Sequence, residues 1–205
     1  MTDQIKISAK DVAALRRQTG AGMMDCKAAL QESEGDMEKA IELLRVKGQA
    51  KAAKRGERAV SEGVVESYVH ATGKIGVLVE VDCETDFVAR TDDFREFARD
   101  VALHVAAAAP RYVAEDDVPE EARESELRVL REQAAAEGKP EQVQEKMAEG
   151  RLRKWLEESV LLNQVHVNEE KHGGKTIEEL RSELAANTGE NVVVRRFQRF
   201  DVGEE

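Results

Sequence analysis

The sequence predicts an α+β protein, with an N-terminal three-helix module followed by a small antiparallel sheet packed with helices. Three observations carry this expectation. Apolar residues recur at helical spacing in three short stretches before residue 46. Two β-branched runs then flank the turn signal Ala71-Thr72-Gly73-Lys74. A last β-branched run, Val192-Val193-Val194-Arg195-Arg196-Phe197, returns after a series of helical segments. Segregated helices and strands favour an antiparallel sheet.

In the N-terminal module, Ser8 is placed to cap a first helix carrying Val12, Leu15 and Thr19. Thr19-Gly20-Ala21-Gly22 is a tight turn between helices. It is too short for a phosphate-binding fingerprint, and no strand precedes it. A second helix runs through Asp25-Cys26-Lys27-Ala28-Ala29-Leu30. Gly35-Asp36 breaks and recaps the chain, and Met37, Ala40, Ile41 and Leu44 follow at helical spacing. Helices of two to three turns do not persist alone in water, so these three must pack on one another.

The body opens with strands from Gly63 to His70 and from Ile75 to Cys83. In the second, Ile75, Val77, Val79 and Val81 share one face, with Leu78, Glu80 and Asp82 on the other. Asp92 is placed to cap a helix with Phe94, Phe97, Val101 and Val105 on its inner face, and Pro110 ends it. A helix over about 119–137 turns Leu127, Leu130 and Ala134 inward. Another begins at Pro140 and carries Val143, Met147, Trp155 and Leu156. Leu161 to Val167 reads as a short strand. Thr176-Ile177-Glu178-Glu179 matches a capping box, opening a helix that ends near Thr188-Gly189.

Composition narrows the function classes. The 205 residues suit one domain with an appendage, or two small domains, and can bury a core without disulfides. Cys26 and Cys83 are too few for a disulfide scaffold and lack metal-ligand spacing. No apolar run approaches the ~18–20 residues needed to cross a bilayer. Met1 to Lys6 lacks the basic-then-apolar pattern of a signal peptide. The expectation is a cytoplasmic, reduced protein with no membrane partner.

Charge is uneven. The chain carries 31 Lys and Arg against 42 Asp and Glu, a net −11. Residues 1–60 hold 12 basic and 9 acidic side chains, a net +3, and the rest of the chain is strongly acidic. This split predicts a module over 1–46, a basic helical linker over 47–62 and an α+β core over 63–205. At the junction Arg45, Lys47, Lys51, Lys54, Arg55 and Arg58 face one acid, Glu57. A nucleic-acid patch and a solvated helical linker both fit. The linker is favoured, because the chain is acidic overall and the patch has no aromatic on which a base could stack.

No catalytic constellation emerges. His70, His104, His166 and His172 are scattered in sequence, and none joins a serine or cysteine in a nucleophile motif. The two cysteines sit among small apolar residues as core positions do. Phosphate-loop and dinucleotide fingerprints are missing from the sequence. The expectation is a protein that is not an enzyme and has no cofactor or metal site.

One segment stands apart: Cys83-Glu84-Thr85-Asp86-Phe87-Val88-Ala89-Arg90. It joins an apolar strand to a helix, and binding residues concentrate in such turns. Phe87, an aromatic beside an acid, suits insertion into a partner's pocket. Folding back onto its own core is equally compatible with the periodicity.

Thr19-Gly20-Ala21-Gly22-Met23-Met24-Asp25-Cys26-Lys27-Ala28-Ala29-Leu30 resembles the first signature of bacterial elongation factor Ts, and Glu80 through Ala89 resembles the second. The stretches Lys139-Pro140, Glu145 through Arg151 and Arg199 through Glu204 also match, so the resemblance spans nearly the whole chain. It implies that the N-terminal helices form a ubiquitin-associated-like module, which docks on the nucleotide-binding domain of elongation factor Tu. The implied activity is guanine-nucleotide exchange on the GDP-bound partner. Thr85, Asp86, Phe87 and Val88 would disturb the partner's Mg²⁺ site, with Asp86 and Phe87 wedged between two partner helices. Arg16, Met23 and Met24 would dock the module, and His70, in the hairpin, would touch another domain. Longer members of the family have two similar core subdomains and a coiled coil. This chain has room for one core, resembles the shorter members, and is expected to form a homodimer.

Two other classes compete. Arg195-Arg196-Phe197-Gln198-Arg199-Phe200 interleaves basic and aromatic residues as RNA-binding strands do, although Asp201, Glu204 and Glu205 follow closely. An adaptor that uses the helical module to recruit a partner, without exchanging its nucleotide, is the other.

Overall fold

The computed structural model describes residues 7–19, 21–138 and 140–203, with side chains described outside 49–54. Gly20 of the first turn, Lys139 and Glu204 of the family-like stretches, Glu205, and the Lys51 and Lys54 side chains lie outside the described residues.

Three helices come first: α1 (Ala9–Thr19), α2 (Met23–Glu32) and α3 (Met37–Gly56). The Ser8 hydroxyl accepts the Asp11 N–H at 3.1 Å, as an N-cap does. Asp36 caps α3 by accepting the Lys39 N–H. Val12, Leu15, Cys26, Ala29, Leu30, Ala40 and Leu44 form one buried cluster, so each helix offers its apolar stripe to the same core. The expected two to three turns hold for α1 and α2. α3 instead runs for 20 residues, through the basic stretch. Its extra turns carry Lys47, which pairs with Glu32 of α2.

The strands β1 (Glu62–Val69), β2 (Ile75–Cys83) and β3 (Val193–Asp201) form an antiparallel sheet in the order β1-β2-β3. The His70 N–H donates to the Ile75 carbonyl and Gly73 adopts a φ of +67°, a turn conformation that glycine takes without strain. Val77, Val79 and Val81 are buried, while Leu78 on the opposite face is exposed. β3 extends four residues beyond the expected run, to Asp201.

Between β2 and β3 lie α4 (Asp86–Ala89), α5 (Asp92–Ala108), α6 (Glu120–Ala136), α7 (Glu141–Ser159), α8 (Glu169–His172) and α9 (Ile177–Thr188). The α5 stripe Phe94, Phe97, Val101 and Val105 is buried as expected. Its cap is Thr91 rather than Asp92: the Thr91 hydroxyl accepts the Phe94 N–H at 3.3 Å, and Asp92 falls in the first turn. Trp155 packs with Tyr112 around Leu156, Val118 and Val160, whereas Val143 at the start of α7 is exposed. The capping box of α9 is complete, with Thr176 N–H on the Glu179 carboxylate and Glu179 N–H on the Thr176 hydroxyl.

The expected strand over 161–167 does not form. Leu161–Asn163 is a single 3₁₀ turn, and only isolated bridges, Tyr112↔Val160 and Val165↔Thr176, mark its flanks. The Gln164 side chain donates to the Glu158 carbonyl and accepts from His104, which turns the chain away from an extended ladder.

The chain divides into two compact units. One comprises Met1–Gly63, Asp82–Phe94 and Arg181–Val193, and the other Val64–Val81, Arg95–Leu180 and Val194–Glu205.

Candidate functional site

The segment set apart in the sequence becomes a one-turn helix, α4, at the end of β2. Thr85 is its N-cap, its hydroxyl accepting the Val88 N–H at 3.4 Å. A single turn cannot hold itself in water, so its orientation must come from attachments at its ends. At the far end Ala89 is buried. At the near end the Glu190 carboxylate accepts three hydrogen bonds: Glu84 N–H at 3.0 Å, Thr85 N–H at 3.1 Å and the Thr85 hydroxyl at 2.6 Å. The Cys83 thiol donates to the Thr85 carbonyl at 3.2 Å. Burial, reinforced by the nearby Glu190 carboxylate, raises the Cys83 pKa to about 11, which keeps that donor proton in place.

A second set of bonds lies beside the first. The Glu84 carboxylate accepts the Asn191 N–H at 2.6 Å and Arg58 Nη1 at 3.2 Å. These donors hold the Glu84 carboxyl below the usual carboxylate range, with the Asn191 N–H the larger cause. The Asn191 amide in turn donates to the Gly56 and Arg58 carbonyls. Sequence reasoning placed Glu84 in the segment set apart without giving it a role, and missed Glu190, Asn191 and Arg58 as parts of this site. The one available signal was an acid and an amide directly after the Thr188-Gly189 helix end, a pattern without periodicity.

The result is a firmly held backbone that presents an unheld aromatic. Phe87 is 79% exposed, so the possibility that it folds back onto its own core is ruled out. Asp86 forms an ion pair with Arg90 at 2.8 Å, with both side chains substantially exposed. Val88 is half-buried. The Thr85 hydroxyl is committed inward, to Glu190 and Val88.

The other candidates fall in separate places. Met23 and Met24 open α2, 50% and 73% exposed, outside the core of their module. Arg16 is exposed on α1. His70 is exposed at the end of β1 and bonds through Nδ1 to the Tyr68 hydroxyl at 3.1 Å.

Three of the four histidines that are scattered in sequence come together. The His104 and His166 ring centroids lie 5.3 Å apart, and those of His166 and His172 4.2 Å apart. His166 and His172 can present ring nitrogens within 4.8 Å of an Asp100 carboxylate oxygen. That carboxylate already takes the Lys171 ammonium at 2.7 Å, and His166 uses one nitrogen on the Asp100 carbonyl and the other on the Asn168 N–H. These bonds engage the Asp100 carboxylate and both His166 ring nitrogens, and His172 Nε2 lies 3.2 Å from the same carboxylate. The basic run of β3 is likewise engaged: Arg196 pairs with Glu80, and Arg199 with Asp201.

Three helices in one core, followed by a small antiparallel sheet packed with helices, define an α+β class of protein, and among the described residues no helix is long and apolar enough to cross a membrane. The family model described as Elongation factor TS matches residues 3–173. The chain is 56% identical to elongation factor Ts of Carboxydothermus hydrogenoformans over 97% of its own length and 90% of that protein's. It is equally similar, at 56% identity, to that of Moorella thermoacetica over 97% of this chain and 96% of the relative. The similarity to the protein of Caldanaerobacter subterraneus is 52%, covering 97% of this chain and 98% of the relative. The chain belongs to the elongation factor Ts family, and its role is in translation elongation.

Proposed function

We propose that the chain is a cytoplasmic guanine-nucleotide exchange factor that binds elongation factor Tu carrying GDP and speeds GDP release by disturbing the Mg²⁺ site of that partner. The single observation that best supports this is Phe87, almost fully solvent-exposed on a turn whose backbone is tied down by Glu190, Asn191 and Cys83. An exposed aromatic on a rigid mount suits a pocket in another protein, where buried aromatic anchors dominate the energetics.

In this reading Thr85 to Val88 form the wedge, with Asp86 and Phe87 entering the partner and Thr85 holding the turn. Mg²⁺ neutralises phosphate charge, so dislodging it leaves the GDP oxygens facing their mutual repulsion. A nanomolar nucleotide site corresponds to about −12 kcal/mol, so fast release needs contacts that form preferentially with the nucleotide-poor partner. Linkage then makes the antagonism mutual, GDP weakening the factor's binding as much as the factor weakens GDP's. Met23, Met24 and Arg16 dock the helical module on the partner, and His70 makes a lesser contact. The domains follow the same division: 1–46 for docking, 47–62 as the helical linker, 63–205 as core and dimerisation region. A homodimer is supported by Val65, Leu78 and Phe200, apolar side chains left exposed on the outer face of the sheet. No nucleic acid, cofactor or active site of its own is needed; the ion pairs of Arg196 and Arg199 weigh against RNA binding.

A stopped-flow chase of fluorescent GDP from elongation factor Tu tests the reading. Wild type accelerates release, and Phe87→Ala leaves it near the spontaneous rate with unchanged helical content. An adaptor would bind the partner without altering nucleotide dwell time. Normal exchange by Phe87→Ala removes the wedge.

A further inference from the structure

The Phe87 side chain is 79% exposed, and its helix is one turn long. Whatever accuracy it has is inherited from the chain on either side. Two residues more than a hundred positions away supply it. Glu190 gathers both backbone N–H groups at the start of the turn and the hydroxyl of the N-cap. Charge-assisted bonds of this kind are roughly twice as strong as neutral ones and directional. Asn191 faces both ways. Its backbone N–H donates to Glu84 at the foot of the turn, while its side-chain amide donates at 3.0 Å to the Arg58 carbonyl and at 3.4 Å to the Gly56 carbonyl, which closes α3. Arg58 completes the loop by pairing with Glu84. Every residue named here belongs to the same compact unit as the three-helix module.

We propose that Glu190 and Asn191 are positioning residues for nucleotide exchange, clamping the turn that carries Phe87 to the C-terminal end of α3. The clamp makes the last helix of the docking module and the mount of the wedge one rigid piece, so that docking determines where Phe87 stands. Neither residue needs to touch the partner. This inference rests on the exchange reading above, and its test separates the two.

The maximal rate of fluorescent-GDP release from elongation factor Tu, and the factor concentration giving half that rate, are measured for wild type, Phe87→Ala, Glu190→Ala, Glu190→Gln and Asn191→Ala. Sub-ångström misplacement of a reacting group is costly, and Glu190→Ala is expected to lower the maximal rate roughly tenfold. Its half-maximal concentration should stay within about twofold of wild type, because the docking surface is untouched. Glu190→Gln retains the shape and one acceptor oxygen and falls between. Asn191→Ala keeps its N–H on Glu84 and loses its hold on α3, for a drop of about threefold.

Wild-type rates for Glu190→Ala beside a slow Phe87→Ala overturn the clamp and leave the exchange reading standing. Wild-type rates for Phe87→Ala overturn both. A raised half-maximal concentration at unchanged maximal rate reduces Glu190 to a general structural role and overturns the clamp. If Glu190→Ala does not fold, Glu190→Gln decides by the same criteria. A wild-type rate for Asn191→Ala removes the connection to α3.

Discussion

His104 Nε2 lies 2.8 Å from Gln164 Oε1, and His104 Nδ1 accepts the Val167 N–H at 3.2 Å. The pair of bonds assigns a neutral imidazole with its proton on Nε2, because a protonated Nδ1 would meet the Val167 N–H head on. Burial is the main reason the His104 pKa falls to about 4, with the charge of His166 acting in the same direction and the Gln164 bond opposing. His166 is lowered too, again chiefly by burial.

The sign of the pH dependence follows. Above about pH 6.5 both folded and unfolded chains carry a neutral His104, which costs nothing. Below it the unfolded chain takes up a proton that the folded one refuses until about pH 4. Stability therefore falls with pH across that window, and His104 alone accounts for about 2 kcal/mol between pH 7 and pH 5. Urea unfolding at the two pH values checks the trend. The assignment itself is checked by NMR, where the His104 ring signal should stay at its neutral position at pH 5.5. A midpoint near 6.5 would contradict it.

Met23 and Met24 lie outside the core cluster of their module, so shortening them should leave the fold intact. Met23→Ala/Met24→Ala is expected to keep its thermal midpoint within about 2 °C, since exposed substitutions usually stay within ±0.5 kcal/mol. If the pair docks on elongation factor Tu, binding measured by calorimetry weakens at least tenfold. Unchanged affinity would remove both from the docking surface.

Leu30 is fully buried among Val12, Leu15, Cys26 and Ala40. Leu30→Ala should destabilise the module by about 2–5 kcal/mol through the cavity it leaves. The loss should appear first as faster amide hydrogen exchange in α1–α3. A loss below about 1 kcal/mol would mean that the three helices do not share one close-packed core.

Cys26 and Cys83 are both buried, and Cys83 has its pKa raised to about 11. Thiolates are the reactive species, so native protein at pH 8 should react with an aromatic disulfide reagent far more slowly than urea-unfolded protein. Prompt labelling of one equivalent under native conditions would show that the bend at Cys83 opens readily.

The patterned elements were legible in advance. Helical spacing marked α1, α5 and α6, alternation marked the buried face of β2, and the Thr176–Glu179 box marked the start of α9, each because local geometry repeats with a fixed period. Residues 161–167 misled because a short run with apolar residues at both ends does not by itself supply a partner strand. Gln164 instead bonds the Glu158 carbonyl and His104, and the run turns. The third helix runs on without a break into the basic stretch that the sequence marked as a helical linker, because Arg, Lys and Ala form helix well even without an apolar stripe.

The sequence by itself determined the helical module, the hairpin, the returning C-terminal strand, and Phe87 as the residue to watch, since all of these are properties of neighbouring positions. Only the tertiary structure decided that Phe87 faces solvent, that three separate histidines share one cluster, and that Glu190 and Asn191 grip the turn at Thr85. Those outcomes depend on contacts between segments far apart along the chain, and such contacts follow from how the elements pack, which no local period encodes.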